Sequence, residues 1–414
     1  MALTQNPRLL LIAGARPNFV KLAALVSALA APANSTVESR ATTLLVHTGQ
    51  HYDDALSRLF FDQLRLPRAD VNLEVGSGAH GAQTGLVMER LEPVVMDWKP
   101  DAVVVVGDVN STLAAALVAA KLHIPVAHVE AGLRSFDRTM PEEINRVLTD
   151  DLATWLFVSE PSGVVNLRLE GHPEERIHLV GNVMIDSLQR FLPAAKRSGA
   201  LAAYDLLKDG GLGGAAAVAR PFVLVTLHRP SNVDSVERLA PLAAALSEIG
   251  RRVPVLFPTH PRTAERLRAF GLAAQFDFQS ATQAETRSGA ATGGWDREGR
   301  GVRLVPALGY LEFLHLMSSA ACVLTDSGGI QEETTALGVP CLTMRESTER
   351  PITVDEGTNT IVGLDPARIL SAADHALSGR SRRGGLPPLW DGHAGERIVS
   401  ILLKDLCAQD FGGR

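Results

Sequence analysis

The sequence predicts an α/β protein made of two doubly wound parallel-sheet domains facing each other across a cleft. Three observations lead there. Short β-branched apolar runs alternate with amphipathic stretches from end to end; the alternation comes in two series parted by a weakly patterned glycine-rich stretch; and charged or glycine-rich motifs recur at the carboxyl ends of the apolar runs. Sustained βαβ alternation implies crossover helices and a parallel sheet covered on both faces.

The first series has strand-like runs at Leu9–Ile12, Thr43–His47, Val103–Val106, Pro125–Val129, Trp155–Val158 and Ile177–Val180. Val103–Val106 is short and β-branched, as a strand buried on both faces should be, and the alanine-rich Leu113–Leu122 suits a packed crossover helix. After Asp186 the pattern weakens, and LKDGGLGGAAAVARP, Leu207–Pro221, reads as a surface linker. The second series follows with Phe222–Leu227, Val253–Phe257, Val302–Val305, Ala321–Thr325 and Val339–Met344. Gln279–Gly301 is polar, glycine-rich and aperiodic, which predicts a long flexible loop or a disordered insert. The expected domains are Rossmann-like, residues 1–190 and 191–390. A C-terminal helix within 391–414 is expected to pack back on the first domain, although its run Gly395–Leu406 would suit either.

The 414 residues are enough for two or three domains, and 46% hydrophobic with 21% charged residues is a globular composition. No stretch approaches the roughly 20 apolar residues that span a bilayer, and the start lacks a basic segment with a long apolar core, so a cytoplasmic protein without membrane contact is expected. A net charge of −6 offers nothing for nucleic acid. Cys322, Cys341 and Cys407 are too widely spaced for a disulfide framework or a zinc site, and no other metal-binding spacing occurs. Any anionic ligand therefore needs a local cationic pocket.

The carboxyl ends of the runs carry the chemistry. In VVVVGDVNSTLAAALVAAKLHIPVAHVEAG, Val103–Gly132, a right-handed βαβ unit puts Asp108 and Glu130 just past two neighbouring strand ends, where open parallel sheets bind ligands. Taken singly, Asp108 could cap the following helix and Glu130 could face water; two acids at equivalent ends favour a shared site. LTDSGGIQEE, Leu324–Glu333, runs from strand through Gly328-Gly329 into a helix, a natural anion site with the Ser327 hydroxyl beside it. Glu332 or Glu333 could accept from ribose hydroxyls, and Arg350 in TERP could neutralise a phosphate. GARPNFVK, Gly14–Lys21, brings Arg16 and Lys21 to the first domain's ligand edge as cations for a diphosphate, unless Lys21 is merely solvated. Pro141 opens a helix whose dipole suits Glu142 and Glu143; spacing does not choose between them, and Arg146 lies four residues from Glu142. VTLHRPSNVD sets His228 and Arg229 after a strand of the second domain. Carboxylates, a histidine and a diphosphate clamp suit proton transfer coupled to departure of a nucleotide diphosphate.

The motifs GARPNFVKLAAL, TGQHYD, GDVNST, HVEAGLRSFDRTMPEEINR, TLHRPSNVD, PTHPRT and LTDSGGIQEE with TERP, in this order over about residues 8–363, resemble those of the non-hydrolysing UDP-N-acetylglucosamine 2-epimerases. The resemblance implies a glycosyltransferase-B-like fold, a cytoplasmic homodimer, no NAD or other cofactor, and no required metal. It implies interconversion of UDP-N-acetylglucosamine and UDP-N-acetylmannosamine for a cell-surface polysaccharide pathway, through elimination of UDP to 2-acetamidoglucal and re-addition. It makes Asp108, Glu130 and Glu142 the acid/base carboxylates and His228 a further catalytic or UDP-contacting group. It places Arg16, Lys21, Arg146, Arg229, His260, Phe313, Ser327, Gly328, Gly329, Glu333 and Arg350 around the UDP-sugar, Phe313 near the uracil, and Gln50 and His51 at a candidate effector site. Two motifs depart from the pattern. Gln50-His51 is followed by Tyr-Asp-Asp-Ala-Leu where substrate-activated bacterial members carry Arg, Glu or Gln, Met and Leu, so activation by substrate is not carried over. His228-Arg229 is followed by Pro230-Ser231 where many members have Arg-Glu or Glu-Glu.

Overall fold

The computed structural model describes residues 6–30, 41–49, 62–208, 218–278, 300–381 and 384–408. The chain forms two compact units, Met1–Arg190 with Pro388–Arg414, and Phe191–Pro387. Among the described residues each unit holds one seven-stranded sheet with parallel pairings throughout.

In the first unit the strands are β1 (Arg8–Ala13), β2 (Thr42–His47), β3 (Val71–Asn72), β4 (Ala102–Val106), β5 (Val126–Ala131), β6 (Trp155–Val158) and β7 (Ile177–Leu179), in the order β3-β2-β1-β4-β5-β6-β7. All five residues of β4, Ala-Val-Val-Val-Val, are buried, as a central strand covered by helices on both faces must be. The second unit contains β8 (Val223–Thr226), β9 (Pro254–Thr259), β10 (Asp277–Phe278), β11 (Gly301–Pro306), β12 (Cys322–Thr325), β13 (Cys341–Thr343) and β14 (Asn359–Ile361), in the order β10-β11-β9-β8-β12-β13-β14. Each order turns back at its sheet's first strand, between β1 and β4 and between β8 and β12, and in the second sheet β10 lies outside β11 at the edge. In open α/β sheets that reversal opens a crevice at the strands' carboxyl ends.

Local sequence explains the helix starts. Helices open on Pro141, Pro161, Pro230, Pro261 and Pro366, where the missing N–H costs no helical bond. The helix Asn110–Lys121 buries a run of alanines against the first sheet. Leu207 and Ala219, flanking the glycine-rich stretch expected to be a linker, form an antiparallel bridge inside the second unit; residues 209–217 lie outside the described ones. Of the polar insert 279–301, residues 279–299 also lie outside them.

The helix Ala394–Ala408 packs on the helix Arg16–Ala30 of the first unit. Asp186 accepts from the amides of Ala394 (3.2 Å) and Gly395 (2.7 Å), satisfying two otherwise open donors at the helix start. Trp390 is fully buried and its Nε1 donates to the Ser159 carbonyl at 3.0 Å. Trp390→Ala is therefore expected to cost about 3–5 kcal/mol through loss of burial and the cavity left behind. Equilibrium denaturation of both proteins measures the difference.

Candidate active site

Several of the residues singled out by the sequence lie near the strand ends beside the reversals, each within its own unit. In the first unit, Asn18 ties the start of the first helix to the end of β4: its Nδ2 donates to the Val106 carbonyl at 2.8 Å, while its Oδ1 accepts from the Ala15 amide at 2.8 Å. Lys21, on the same helix, is buried and ion-paired with Glu130. Gly107 lets this happen, because its φ is +70° and a Cβ there would sit 3.0 Å from the Lys21 Nζ.

Glu130 lies within β5 rather than past its end, and the register between β5 and β6 shifts between Val129 and Ala131. Its φ is +75°, a left-handed conformation that costs a non-glycine residue about 1–3 kcal/mol and persists only where its surroundings impose it. The side chain is 5% exposed, so the alternative in which Glu130 faces water does not hold. Asp108 does not take the capping alternative either. The N-cap of the following helix is Val109, which makes no side-chain cap, and the Asp108 Oδ2 accepts from Arg146 NH2 at 2.6 Å. Arg146 NH1 donates to Glu143 at 2.9 Å. Glu143 also accepts from the amides of Ser135 (2.8 Å) and Phe136 (2.9 Å), a buried structural role. Arg146 thus holds Asp108 and Glu143, not Glu142 as its spacing suggested. Glu142 is half-buried and has no hydrogen-bond or ion-pair partner shown among the described residues.

In the second unit a buried carboxylate organises the site. Asp326, just past β12, accepts from the amides of His228 (3.1 Å) and Arg229 (2.9 Å) and from Asn232 Nδ2 (3.2 Å). Its Oδ1 lies 2.9 Å from His228 Nδ1. Burial works against the Asp326 charge, but the His228 bond and charge and the two amides hold its carboxyl below the usual carboxylate range. With Nδ1 so fixed and 46% of the side chain exposed, the His228 Nε2 is the ring nitrogen left to meet a ligand.

Beside it Arg229, Arg345 and Arg350 converge on buried Glu349. Arg345 makes two parallel bonds of 2.8 Å, Arg229 NH2 donates at 3.2 Å, and Arg350 NH1 lies 3.6 Å away. Burial opposes ionisation of Glu349, yet these guanidiniums keep its carboxyl far below the usual range. The Nε of Arg350 lies 3.0 Å from Glu332, and a Cβ on Gly328 would overlap its guanidinium. That arginine therefore lies over the start of the helix Gly328–Leu337. Ser327 is the N-cap residue without a side-chain cap, so plain capping does not account for Ser327-Gly328-Gly329. Amides at a helix start with an arginine over them suit an anion.

Glu333 accepts from the Tyr310 hydroxyl at 3.0 Å. Burial pushes the Glu333 carboxyl up to about 8; the Tyr310 bond opposes this and the Glu332 charge adds to it. Phe313, half-buried, lies on the same helix as Tyr310.

A family model for UDP-N-acetylglucosamine 2-epimerase matches residues 35–403. The chain belongs to the UDP-N-acetylglucosamine 2-epimerase family. Among relatives in this family, the UDP-N-acetylglucosamine 2-epimerase of Methanocaldococcus jannaschii is 40% identical over 95% of this chain and 98% of its own length. The UDP-2,3-diacetamido-2,3-dideoxy-D-glucuronate 2-epimerase of Pseudomonas aeruginosa is 37% identical over 96% and 99%. The crystal structure of the Methanocaldococcus jannaschii UDP-GlcNAc 2-epimerase in complex with UDP-GlcNAc and UDP matches with a TM-score of 0.80 at 39% identity, covering 96% of this chain and 99% of that one. The two-domain α/β fold and the isomerase class expected from the motifs are those of the 2-epimerase family.

The remaining residues expected from the sequence are placed as follows. Lys21, expected to face a diphosphate, is the ion-pair partner of Glu130. Arg16 opens the first helix, and its side chain lies outside the described residues, as do Gln50 and His51 entirely. His260 N-caps the helix Pro261–Ala269, its Nδ1 accepting from the Arg262 amide at 3.3 Å. Sequence reasoning missed Asn18, Asp326, Tyr310 and Glu349. The usable signal for Asp326 was an acid directly after an apolar strand and before Ser-Gly-Gly, the same signal that singled out Asp108.

Proposed function

We propose that the protein interconverts UDP-N-acetylglucosamine and UDP-N-acetylmannosamine by inverting C2. The observation carrying this reading is the pair Asp108 and Glu130, each joined to a buried cation at the first unit's strand reversal. Inversion at C2 needs a base to remove the proton and an acid to return one to the opposite face. When the proton leaves C2, the C2–H electron pair forms the C1–C2 double bond, and the bond from C1 to the diphosphate oxygen breaks, its own electron pair leaving on the oxygen of UDP. Re-addition joins the UDP oxygen to C1 while C2 is protonated from the other face, so no oxidant is consumed. Asp108, Glu130 and Glu142 are assigned the proton transfers. Arg146 is assigned the orientation of Asp108, and Lys21 the balancing of charge at Glu130.

The second unit is assigned the nucleotide. Ser327, Gly328, Gly329, Arg229 and Arg350 would hold the diphosphate, with Arg16 as a further cation, and His228 Nε2 would meet the oxygen on which negative charge develops. Glu333 would accept from ribose hydroxyls, Phe313 would line the uracil, and His260 would contact the UDP-sugar. The related structure bound to UDP-GlcNAc and UDP supports this substrate. The reading extends to a cytoplasmic homodimer that supplies a cell-surface polysaccharide pathway, supported by the motifs; light scattering would register the dimer as twice the mass of one chain.

Proton NMR of the protein with UDP-N-acetylglucosamine in D2O tests the reaction. Deuterium at C2 with accumulating UDP-N-acetylmannosamine is the expected result. Free N-acetylmannosamine with UDP would replace this reading with a hydrolysing one. Turnover only with UDP-2,3-diacetamido-2,3-dideoxy-D-glucuronate would favour the activity named for the Pseudomonas aeruginosa relative.

A further inference from the structure

The helix Pro141–Leu152 is inverted. Its inward residues include Glu143, Arg146 and Asp150, spaced i, i+3, i+7 along one face, while Ile144 and Leu148 are 40% and 43% exposed. Burying charge instead of isoleucine and leucine is costly, so each buried group should have work to do. Glu143 and Arg146 support Asp108, as described above. Asp150 touches neither Asp108 nor Glu130, yet through His128 and Gly132 it is tied to the chain that flanks both.

The Asp150 side chain is fully buried. Oδ1 lies 2.6 Å from His128 Nδ1, and Oδ2 accepts from the Gly132 amide at 3.1 Å and from Arg134 NH2 at 2.7 Å. His128 and Gly132 are the residues two before and two after Glu130. One carboxylate therefore pins the chain on both sides of the left-handed residue. The other ring nitrogen of His128 lies 2.9 Å from the Gly107 carbonyl, the residue preceding Asp108. A carbonyl only accepts, so Nε2 carries a proton and the ring bridges Asp150 to the Asp108 turn. Gly132 is itself at φ +79°, and a Cβ there would overlap the Gly163 carbonyl, so the chain after the bulge packs directly against that carbonyl. Arg134 is anchored in turn by Glu170, through bonds of 2.7 and 2.6 Å, and donates to the Leu133 carbonyl at 2.8 Å. Burial alone would push the Asp150 carboxyl up, but the His128 and Arg134 interactions offset it and keep the carboxyl below the usual range.

We propose that Asp150 is a positioning residue for the reaction: through His128 and Gly132 it holds Glu130 in its left-handed bulge and sets the turn that carries Asp108. This rests on the assignment of Asp108 and Glu130 as proton-transfer groups. It assigns Asp150 no contact with substrate. Its loss should appear in the chemical step, because displacing a reacting group by about 1 Å can cost on the order of 10²-fold.

The test compares the full-length wild type with Asp150→Ser and Asp150→Asn. Ser is too short to reach His128, whereas Asn restores the reach and an acceptor for the Gly132 amide. Asp150→Ser is expected to lower kcat about 10²-fold with KM and UDP affinity within about twofold of wild type, and Asp150→Asn to recover at least about tenfold of that loss. If Asp150→Ser does not fold, His128→Gln carries the same expectation, since Gln keeps a donor for the Gly107 carbonyl and drops the link to Asp150. An unchanged kcat, a loss confined to KM, or no recovery with Asn would overturn the proposal. Absence of C2 exchange in the wild type would instead remove the assignment beneath it, which separates the two failures.

Discussion

Glu130→Gln is expected to slow turnover by about 10²–10⁴-fold, the usual contribution of a positioned acid or base, while UDP binds as before. The separation follows from where the groups sit. Glu130 and Asp108 belong to the first unit, and the helix start, arginine cluster and Glu333 assigned to the nucleotide belong to the second. Gln keeps the shape of the side chain but cannot carry a proton, so what it removes is realised in the transition state. A second consequence is thermodynamic. Lys21 is 7% exposed, and the substitution leaves its ammonium without the charge it was buried against, which costs about 3–5 kcal/mol for a broken buried pair. Asp108→Asn should lose a comparable amount of kcat with a smaller stability cost, because Asp108 is 22% exposed and Arg146 retains Glu143. Steady-state kinetics, UDP calorimetry and thermal unfolding on the same preparations test all three statements. Loss of UDP affinity in parallel with kcat, in a folded Glu130→Gln protein, would move Glu130 from chemistry to binding.

The long strands were legible because each is a continuous apolar run bounded by glycine, proline or polar residues. β3, β10 and β14 were not; they hold two or three residues each, lie at the sheet edges, and are paired on one side. An edge strand of two residues leaves no period to read, since its existence depends on the neighbour that recruits it. The candidate site divides in the same way. Asp108, His228 and Ser327-Gly328 stand directly after apolar runs, so their place at a sheet's ligand edge follows from parallel topology alone. Lys21's partner does not: the ion pair with Glu130 depends on Gly107 leaving room and on a backbone bulge that nothing local announces.

Charged residues inside a helix pattern were the hardest to read. Helical spacing puts Arg146 within reach of Glu142, but the helix faces the sheet with Glu143, Arg146 and Asp150, and tertiary partners 38 and 22 residues away, Asp108 and His128, take precedence. The resemblance to known motifs picked Glu142 over Glu143, and the geometry supplies a reason: Glu143 already accepts from two amides and a guanidinium.

Glu333→Gln should raise thermal stability in a pH-dependent way and change how UDP binds. In the folded protein the Glu333 carboxyl is pushed up to about 8, against an ordinary value of 4.5. Below pH about 4.5 the group is protonated in both folded and unfolded chains, and the substitution gains nothing. Between about 4.5 and 8 the unfolded chain gives up the proton while the folded one keeps it, so wild-type stability falls with rising pH. The gain from Gln, which retains an acceptor for the Tyr310 hydroxyl, therefore grows through that window to the order of a few kcal/mol and levels off above about 8. Unfolding midpoints at pH 5 and pH 8 measure the growth; an equal difference at both would mean that the carboxyl titrates normally. The nucleotide reverses the preference. A ribose hydroxyl donating to Glu333 favours the ionised form, so wild-type binding between pH 7 and 8 should release a proton and tighten as pH rises. Phosphate titration lies lower, near 6, and contributes little in that range. Calorimetry in two buffers of different ionisation enthalpy reads the proton directly, and Glu333→Gln should abolish it. Persistence of proton release in the Gln protein would place its source elsewhere, and the ribose assignment of Glu333 would go with it.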